Sequence, residues 1–486
     1  MPRPSCAWVL ALLLAGMSNS ASAQDAASQQ LDEVQEALLH PFTGDWDAIV
    51  KRRMVRALVV YSRTLYFVDR GKQGGATYRM LKAFEDEVNA RLGKKALGFH
   101  VVFVPVSRDA LIPALLDGRG DLVAANLVQT PQRAEQVDFS ASLLDGVDEL
   151  VVTGPGGPAI SSVEELAGRE VHVRRSSSYW EHLEALNARL TAEGKPSVTL
   201  VPAPEDLEDE DLLEFVNAGL IPITVCDVFH ARFWKSFYKA LKFDPAVAIS
   251  RDESVVWLMR KDSPQLKAVV DGFVRRHRKG TTFGNILLRQ YQQRPRSVLP
   301  ETSGSALRRY EQTVQLFGKY GEQYDIDPLL AMAQGYQESR LDQSVRSPVG
   351  AIGVMQLMPS TGAQMNVGDI TKLQPNIHAG VKYLRHVEDT YFGEAELGSL
   401  VKGFFAFASY NAGPNRIQTL RQETRRRGLD PNRWFGNVEF VVAERVGREP
   451  VGYVSNIFKY YVAYQRVALA ERQRAAARET MQPASQ

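Results

Sequence analysis

The chain has 486 residues, 44% of them hydrophobic and 23% charged, and its 58 basic against 56 acidic residues give a formal net charge of +2. Such a length exceeds what one ordinary core fills and predicts two to four domains. So even a charge balance gives no support for a nucleic-acid partner and argues only weakly for attraction to an anionic membrane surface.

In chain order, MPRPSCAWVLALLLAGMSNSASAQDA combines Arg3, an apolar run from Ala7 to Met17 and the small-residue signal Ala21-Ser22-Ala23. This predicts a secretory signal peptide over residues 1–23, cleaved after Ala23. The run is short for a bilayer span, and no later segment reaches about 18 uninterrupted apolar residues. An exported, soluble mature protein is therefore expected. Cys6 leaves with the signal, so Cys226 stands alone and no intramolecular disulfide is expected. Residues 24–52 are polar and read as a lead-in rather than a core element.

From residue 53 to 292 short apolar runs alternate with amphipathic stretches: ALVVYS, then YRMLKAFEDEVNARLG, FHVVFVPV, RDALIPALLDGRG and DLVAANLV. A second set follows, from REVHVRR through SSSYWEHLEALNARL, SVTLVP and ITVCD to ESVVWLMRK and PQLKAVVDGFVRRHRKG. This alternation predicts an α/β unit with a parallel sheet and right-handed crossovers. A Pro-, Ser- and Gly-containing break over 293–306 reads as a linker. Residues 307–470 are helical in pattern, and 471–486 read as a frayed tail. The expected architecture is multidomain, with a two-lobed α/β part first and an all-α part second.

Within the helical part, Asp327-Pro328 is a strong helix start. Glu338 falls in the last turn of that helix, beside the small or apolar Leu330, Ala331 and Gly335 and the polar Gln334. Partial desolvation and the negative end of the helix dipole should both raise its pKa. A carboxylic acid still protonated near neutrality is what protonating a glycosidic oxygen requires. Asp342, past the helix end, reads as a solvated or capping residue.

Glu338-Ser339, SPVGAIGVMQLMP, NIHAGVKYL and ASYNAG, in that order, resemble the catalytic domain of soluble-type lytic transglycosylases over roughly residues 307–465. The resemblance implies a goose-lysozyme-like α fold that cleaves peptidoglycan with Glu338 as its single acid and base. It also implies that Ser347 points at the acid, that Gln356 and Met358 line the saccharide cleft, and that Tyr410 and Asn411 form the opposite wall. A late acidic element of the family matches Glu449-Pro-Val-Gly-Tyr453-Val in part, which makes Glu449 a further substrate-binding candidate. Substrate assistance by the sugar acetamido group then accounts for a lone carboxylate. A hydrolytic lysozyme and a non-catalytic peptidoglycan-binding protein stay open as alternative readings.

GRGDLVAANLVQTPQRAEQVDFS resembles the first lobe of family 3 extracellular solute-binding proteins, over roughly residues 53–292. The resemblance implies that Arg133, after Thr130, grips a ligand carboxylate. It implies that the helix start at Ser176–Ser178, with Ser177 at its centre and a Ser178/Glu181 capping box, assists. Asp227 would take an ammonium, and Tyr61 and Tyr66 would form an aromatic wall. Val128 and Arg175 depart from the amino-acid-binding pattern, so the expected ligand is a muropeptide or an amino-acid-like molecule rather than necessarily a free amino acid. The pairing of the two domains resembles the membrane-bound lytic murein transglycosylase F family, which implies glycan strands as substrate and a position peripheral to the outer membrane. No cofactor or metal is expected.

Overall fold

The computed structural model describes residues 41–93, 98–293, 305–393 and 397–481. The expected signal peptide, most of the lead-in and residues 294–304 of the expected linker lie outside the described residues.

The α/β part holds eleven strands among the described residues: β1 Met54–Val59, β2 Phe67–Asp69, β3 Lys72–Gly74, β4 His100–Pro105, β5 Leu122–Val128, β6 Asp138–Phe139, β7 Leu144–Thr153, β8 Glu170–Arg174, β9 Thr199–Ala203, β10 Ile223–Asp227 and β11 Ala248–Met259. One sheet runs in the order β4-β1-β5-β11-β7-β10-β8-β9, with β6 beside β11. In the first lobe β1 lies parallel to β4 and β5, and in the second β8 lies parallel to β9 and β10. The parallel sheet expected throughout is corrected at the centre. There β7 and β11 pair antiparallel with each other, β7 with β10, and β11 with β5. These two long strands carry the chain out of one lobe and back, so their direction is fixed by the crossing and not by a helical crossover. β7 was not expected, because its first half, LDGVD, lacks the apolar run that marks a buried strand.

The lead-in reading also changes at its end. Trp46–Arg52 is a helix capped by Asp45, Ile49 is fully buried, and Trp46 packs against Phe84 and Phe99. Asp45 also accepts from the backbone of Gln265 and Leu266, which ties the start of the chain to the far end of the lobe.

The helical part comprises Ser305–Tyr324, Pro328–Ser339, Pro359–Met365, Leu373–Tyr391, Ser399–Ala412, Pro414–Arg426, Glu439–Arg445 and the long Arg448–Thr480. Pro328–Ser339 is its central rod, buried from Pro328 through Tyr336. A single cluster of buried apolar side chains extends from Val55, Phe84 and Phe273 of the first lobe into Phe317, Met332 and Tyr464 of the helical part. The second lobe has a separate core around Leu183, Phe215 and Trp234.

The terminal helix joins all three bodies. Tyr464 donates to the carbonyl of Gly71 at the tip of the β2–β3 hairpin (2.9 Å), and Lys459 lies 3.5 Å from Glu85. Further along, Glu471 accepts from Tyr61, and Arg474 and Arg478 each reach Asp211 at 2.5 Å. The residues read as a frayed tail are thus corrected. Arg474, Ala477 and Arg478 share one helix face, and that face is seated on the second lobe's acidic helix Asp209–Asn217. The first lobe grips the same acids: Arg63 reaches Asp211 and Glu214 (3.1 and 2.7 Å), and Arg108 forks onto Glu208 (2.8 and 2.7 Å).

Candidate active site

Asp327 caps the central helix by accepting from Leu329 and Leu330, and its other oxygen accepts from Tyr461 at 2.5 Å. This fixes the rod against the terminal helix at one end. At the other end Arg340 adopts a left-handed conformation (φ 58°) and stops the helix just after Glu338.

Glu338 is half-buried, and burial pushes its carboxyl up to about 7, opposed by a hydrogen bond from Tyr453. Tyr453 donates to Glu338 and accepts from the buried Gln334 amide at 3.1 Å, so the three form a short relay from the helix interior to the acid. Tyr410 borders the site: its phenol is held well above its ordinary value by burial and by the charge of Glu338. The Tyr410 hydroxyl donates to the carbonyl of Met355 at 2.6 Å, and its ring meets Tyr383 edge-on at 5.4 Å.

The loop between Asp342 and Met358 is held from behind. Asn376, fully buried, accepts from Met355 N and donates to the carbonyls of Ile352 and Ile370, at 2.8 to 3.0 Å. Gln343 accepts from Val354 N and donates to Ile370 and Thr371. Gly353 (φ +76°) sits between these two amides, and a Cβ there would lie 2.4 Å from Gln343 Nε2 and 2.7 Å from Asn376 Nδ2. Only glycine fits both the backbone and the space.

The other expected residues are placed less centrally. Ser347 accepts from Ala351 N across the loop at 2.9 Å, and no hydrogen bond joins it to Glu338 among the described residues. Gln356, at φ +42°, turns its amide nitrogen inward onto Gly353 O at 2.8 Å. Met358 is 41% exposed, and Asn411 is exposed at the end of the Ser399–Ala412 helix. Glu449 is exposed in the first turn of the terminal helix, with no ion pair or hydrogen bond among the described residues. Asp342 accepts from Ser344 N and Oγ, a local turn.

In the α/β part Arg133, Ser177 and Asp227 line one small space between the lobes, with room for about one water at ≈ 20 Å³. The Arg133 fork is occupied from within: it donates to Val128 O (2.6 Å) and Ser176 O (2.9 Å), with Glu181 3.6 Å away. Thr130 accepts from Arg133 N and caps the short helix after it. Ser177, not Ser178, caps the second-lobe helix, while Ser178 bonds Glu149 at 2.6 Å. Asp227 is pushed up to about 7 by burial, and its Oδ1 has no hydrogen-bond partner among the described residues. Tyr61 and Tyr66 are elsewhere, on Glu471 and Gln73.

Residues 315–431 match the Transglycosylase SLT domain family, and residues 68–292 match the bacterial extracellular solute-binding proteins, family 3. A membrane-bound lytic murein transglycosylase F from Desulfosudis oleivorans is 28% identical over 417 residues, covering 82% of this chain and 86% of the relative. One from Ectopseudomonas mendocina is 26% identical over 429 residues, covering 84% and 83%. The chain thus joins a family 3 solute-binding domain to a Transglycosylase SLT domain and resembles membrane-bound lytic murein transglycosylases F over more than four-fifths of its length. Over 53% of its length it also resembles an amino acid ABC transporter substrate-binding protein from Streptococcus pneumoniae bound to L-arginine, at 18% identity and a TM-score of 0.43, covering 100% of that chain.

Tyr453 lies beyond the matched transglycosylase stretch, yet it is the residue that touches the acid. In the sequence it stands only within the partly matching Glu449-Pro-Val-Gly-Tyr453-Val, where Glu449 and not the tyrosine is the candidate. Gln334 and Asn376 were missed as well, although each leaves a signal: a Gln one turn before the Glu on an apolar helix, and an Asn opening NIHAGVKYL.

Proposed function

We propose that this transglycosylase cleaves the β-1,4 bond between MurNAc and GlcNAc in peptidoglycan and leaves 1,6-anhydromuramoyl ends. Glu338 gives its proton to the glycosidic oxygen as the bond to C1 breaks, while the sugar's acetamido oxygen bonds to C1. The carboxylate then takes the proton of the C6 hydroxyl, whose oxygen attacks C1 and displaces the acetamido oxygen. No water is consumed. The observation that carries this reading is the half-buried Glu338 held near 7 with a tyrosine hydroxyl on it, a group able to give and regain a proton at neutral pH. Tyr453 and Tyr410 flank the acid, and Gln356, Met358, Ser347, Asn411 and Glu449 supply the loop and rims along which the glycan lies.

The two lobes form a ligand-binding unit that adjusts cleavage, and the terminal helix touching both lobes and the acid supports that reading. Export follows from the signal sequence, with a peripheral position at the outer membrane. No described helix is long and apolar enough to cross a membrane.

The test is mass spectrometry of fragments released from purified peptidoglycan, with Glu338→Gln as control. Anhydromuramoyl products absent from the control support the lyase reading. Reducing-end products would replace it with a hydrolase, and no release by either form would leave a binding protein.

A further inference from the structure

A cavity of ≈ 500 Å³ opens between the lobes beyond the small space at Arg133. Asn126 and His230 line both, so the larger cavity is the outward continuation of the smaller. Its size falls within the range of about 300–1,000 Å³ typical of small-molecule sites. The Arg133 end, by contrast, is closed by the protein's own groups. Arg133 is spent on two carbonyls, Arg174 on Leu207 O and Asp209, and Arg108 on Glu208. An amino acid has no free fork there to hold its carboxylate and no volume to occupy.

The larger cavity has a different chemistry. Its walls are Leu65, Met80, Leu144, Phe229, Phe233 and Trp257, closed on one side by Leu287 and Leu288 of the Thr282–Gln293 helix. Among the described residues no Asp or Glu lines it, whereas Arg232, Lys279 and two histidines do. Arg232 and Lys279 are exposed and have no side-chain hydrogen bond or ion pair among the described residues; Lys279 acts through charge on the nearby Asp145, which leaves Arg232 the freer of the two cations at an apolar chamber. At the junction of the two spaces Asn126 sits in a strand with φ +56°, a left-handed conformation that is costly inside a ladder. Its amide makes no hydrogen bond among the described residues.

We infer that this chamber is the ligand site of the α/β unit and that it takes a small apolar carboxylate, its body among Phe229, Phe233 and Trp257 and its head at Arg232 and Lys279. An apolar body gains from leaving water, and a single anionic head meets cations with no carboxylate in the described lining itself. A zwitterion would bring an ammonium into a lining with no acid of its own, the unpaired oxygen of Asp227 lying in the smaller space that Asn126 and His230 also line. The inference rests on reading the lobes as a ligand-binding unit and specifies what they bind.

The test is calorimetry on the full mature chain with 4-phenylbutyrate, its amide, 4-phenylbutylamine, L-arginine and L-alanine. The expected result is one site for 4-phenylbutyrate, at least tenfold weaker binding of the amide and the amine, and none of the amino acids. Arg232→Glu with Lys279→Glu, both exposed and checked for an unchanged melting temperature, should weaken 4-phenylbutyrate at least tenfold. Amino acids binding in its place, no binding of 4-phenylbutyrate, or binding unaffected by the double change would each overturn the assignment. Glycan cleavage measured with and without 4-phenylbutyrate separates the two readings: saturable binding with no change in cleavage keeps the site and removes the regulation.

Discussion

Tyr453 donates its hydroxyl to Glu338 from the same helix that, about 30 Å further along at a rise of about 1.5 Å per residue, places Arg474 against Asp211. One rigid element therefore touches the acid, the first lobe and the second lobe. Tyr453→Phe removes the bond to Glu338 and leaves Gln334 unpaired. A hydrogen bond to a charged group contributes about 1.5–3 kcal/mol, so kcat/KM should fall about 10- to 100-fold if the bond acts in the transition state. Because that bond favours the carboxylate, the alkaline limb of the pH profile should move to higher pH; an unmoved limb would mean that the tyrosine does not tune the acid.

As the proposed acid Glu338 starts protonated, so kcat/KM should decline as pH rises through about 7. The same shift has a sign for stability. The unfolded carboxyl ionises near 4.5 and the folded one near 7, so between these values the folded state holds the extra proton and the native chain loses stability as pH rises. Glu338→Gln lacks this penalty. Its melting temperature should match the native chain below about pH 4.5 and exceed it above about pH 7, as scanning calorimetry across pH would read; equal values throughout would mean that Glu338 is solvated.

Asn376→Ala strips partners from Met355 N, Ile352 O and Ile370 O, all behind the loop between Asp342 and Met358. Each buried group left unpaired costs about 1–3 kcal/mol. Chemical denaturation should show a loss of at least about 2 kcal/mol, and glycan cleavage should fall while Glu338 itself is untouched. A stable variant would show that the loop is held by Gln343 alone.

Arg474 is nearly buried between Glu210 and Asp211. Arg474→Ala leaves both acids without one of their cations, and removing one partner of a buried pair costs about 3–5 kcal/mol. Thermal unfolding should register that loss with little dependence on salt, since buried pairs are poorly screened. A loss that disappears in high salt would place the pair at the surface.

The strands and helices with clean periods were legible in the sequence: ITVCD is β10 residue for residue, and the Asp327-Pro328 start is the start of the helix bearing Glu338. Glu338 stood out as a candidate through the ordered motifs around it, SPVGAIGVMQLMP, NIHAGVKYL and ASYNAG, and its small apolar helix neighbours agree with the raised carboxyl the structure shows. What escaped was pairing across distance. Nothing local in RAAARET tells that Arg474 and Arg478 have partners in LEDED, more than 250 residues away, and a basic, alanine-rich end without them would indeed fray. Tyr61 and Tyr66 looked like a pocket wall because they follow a strand, but their hydroxyls find Glu471 and Gln73 instead. Arg133 kept its place in the fold and found backbone carbonyls where the resemblance implied a ligand.

The seam at Gly71 gives the molecule an assembly that does not depend on its peptide connection. That residue has φ +79°, and a Cβ on it would meet Tyr336 at 2.7 Å and the Tyr464 hydroxyl at 2.8 Å, so the hairpin tip lies flush against the helix bearing Glu338. Together with the shared core and the clamp at Asp211, it makes the two matched regions behave as halves of one dovetail joint. Chains cut between Gln293 and Ser305 should therefore co-elute as a single particle and keep cleaving glycan, whereas shortening the chain to residue 470 should let the second lobe swing free of the helix that had bolted it down.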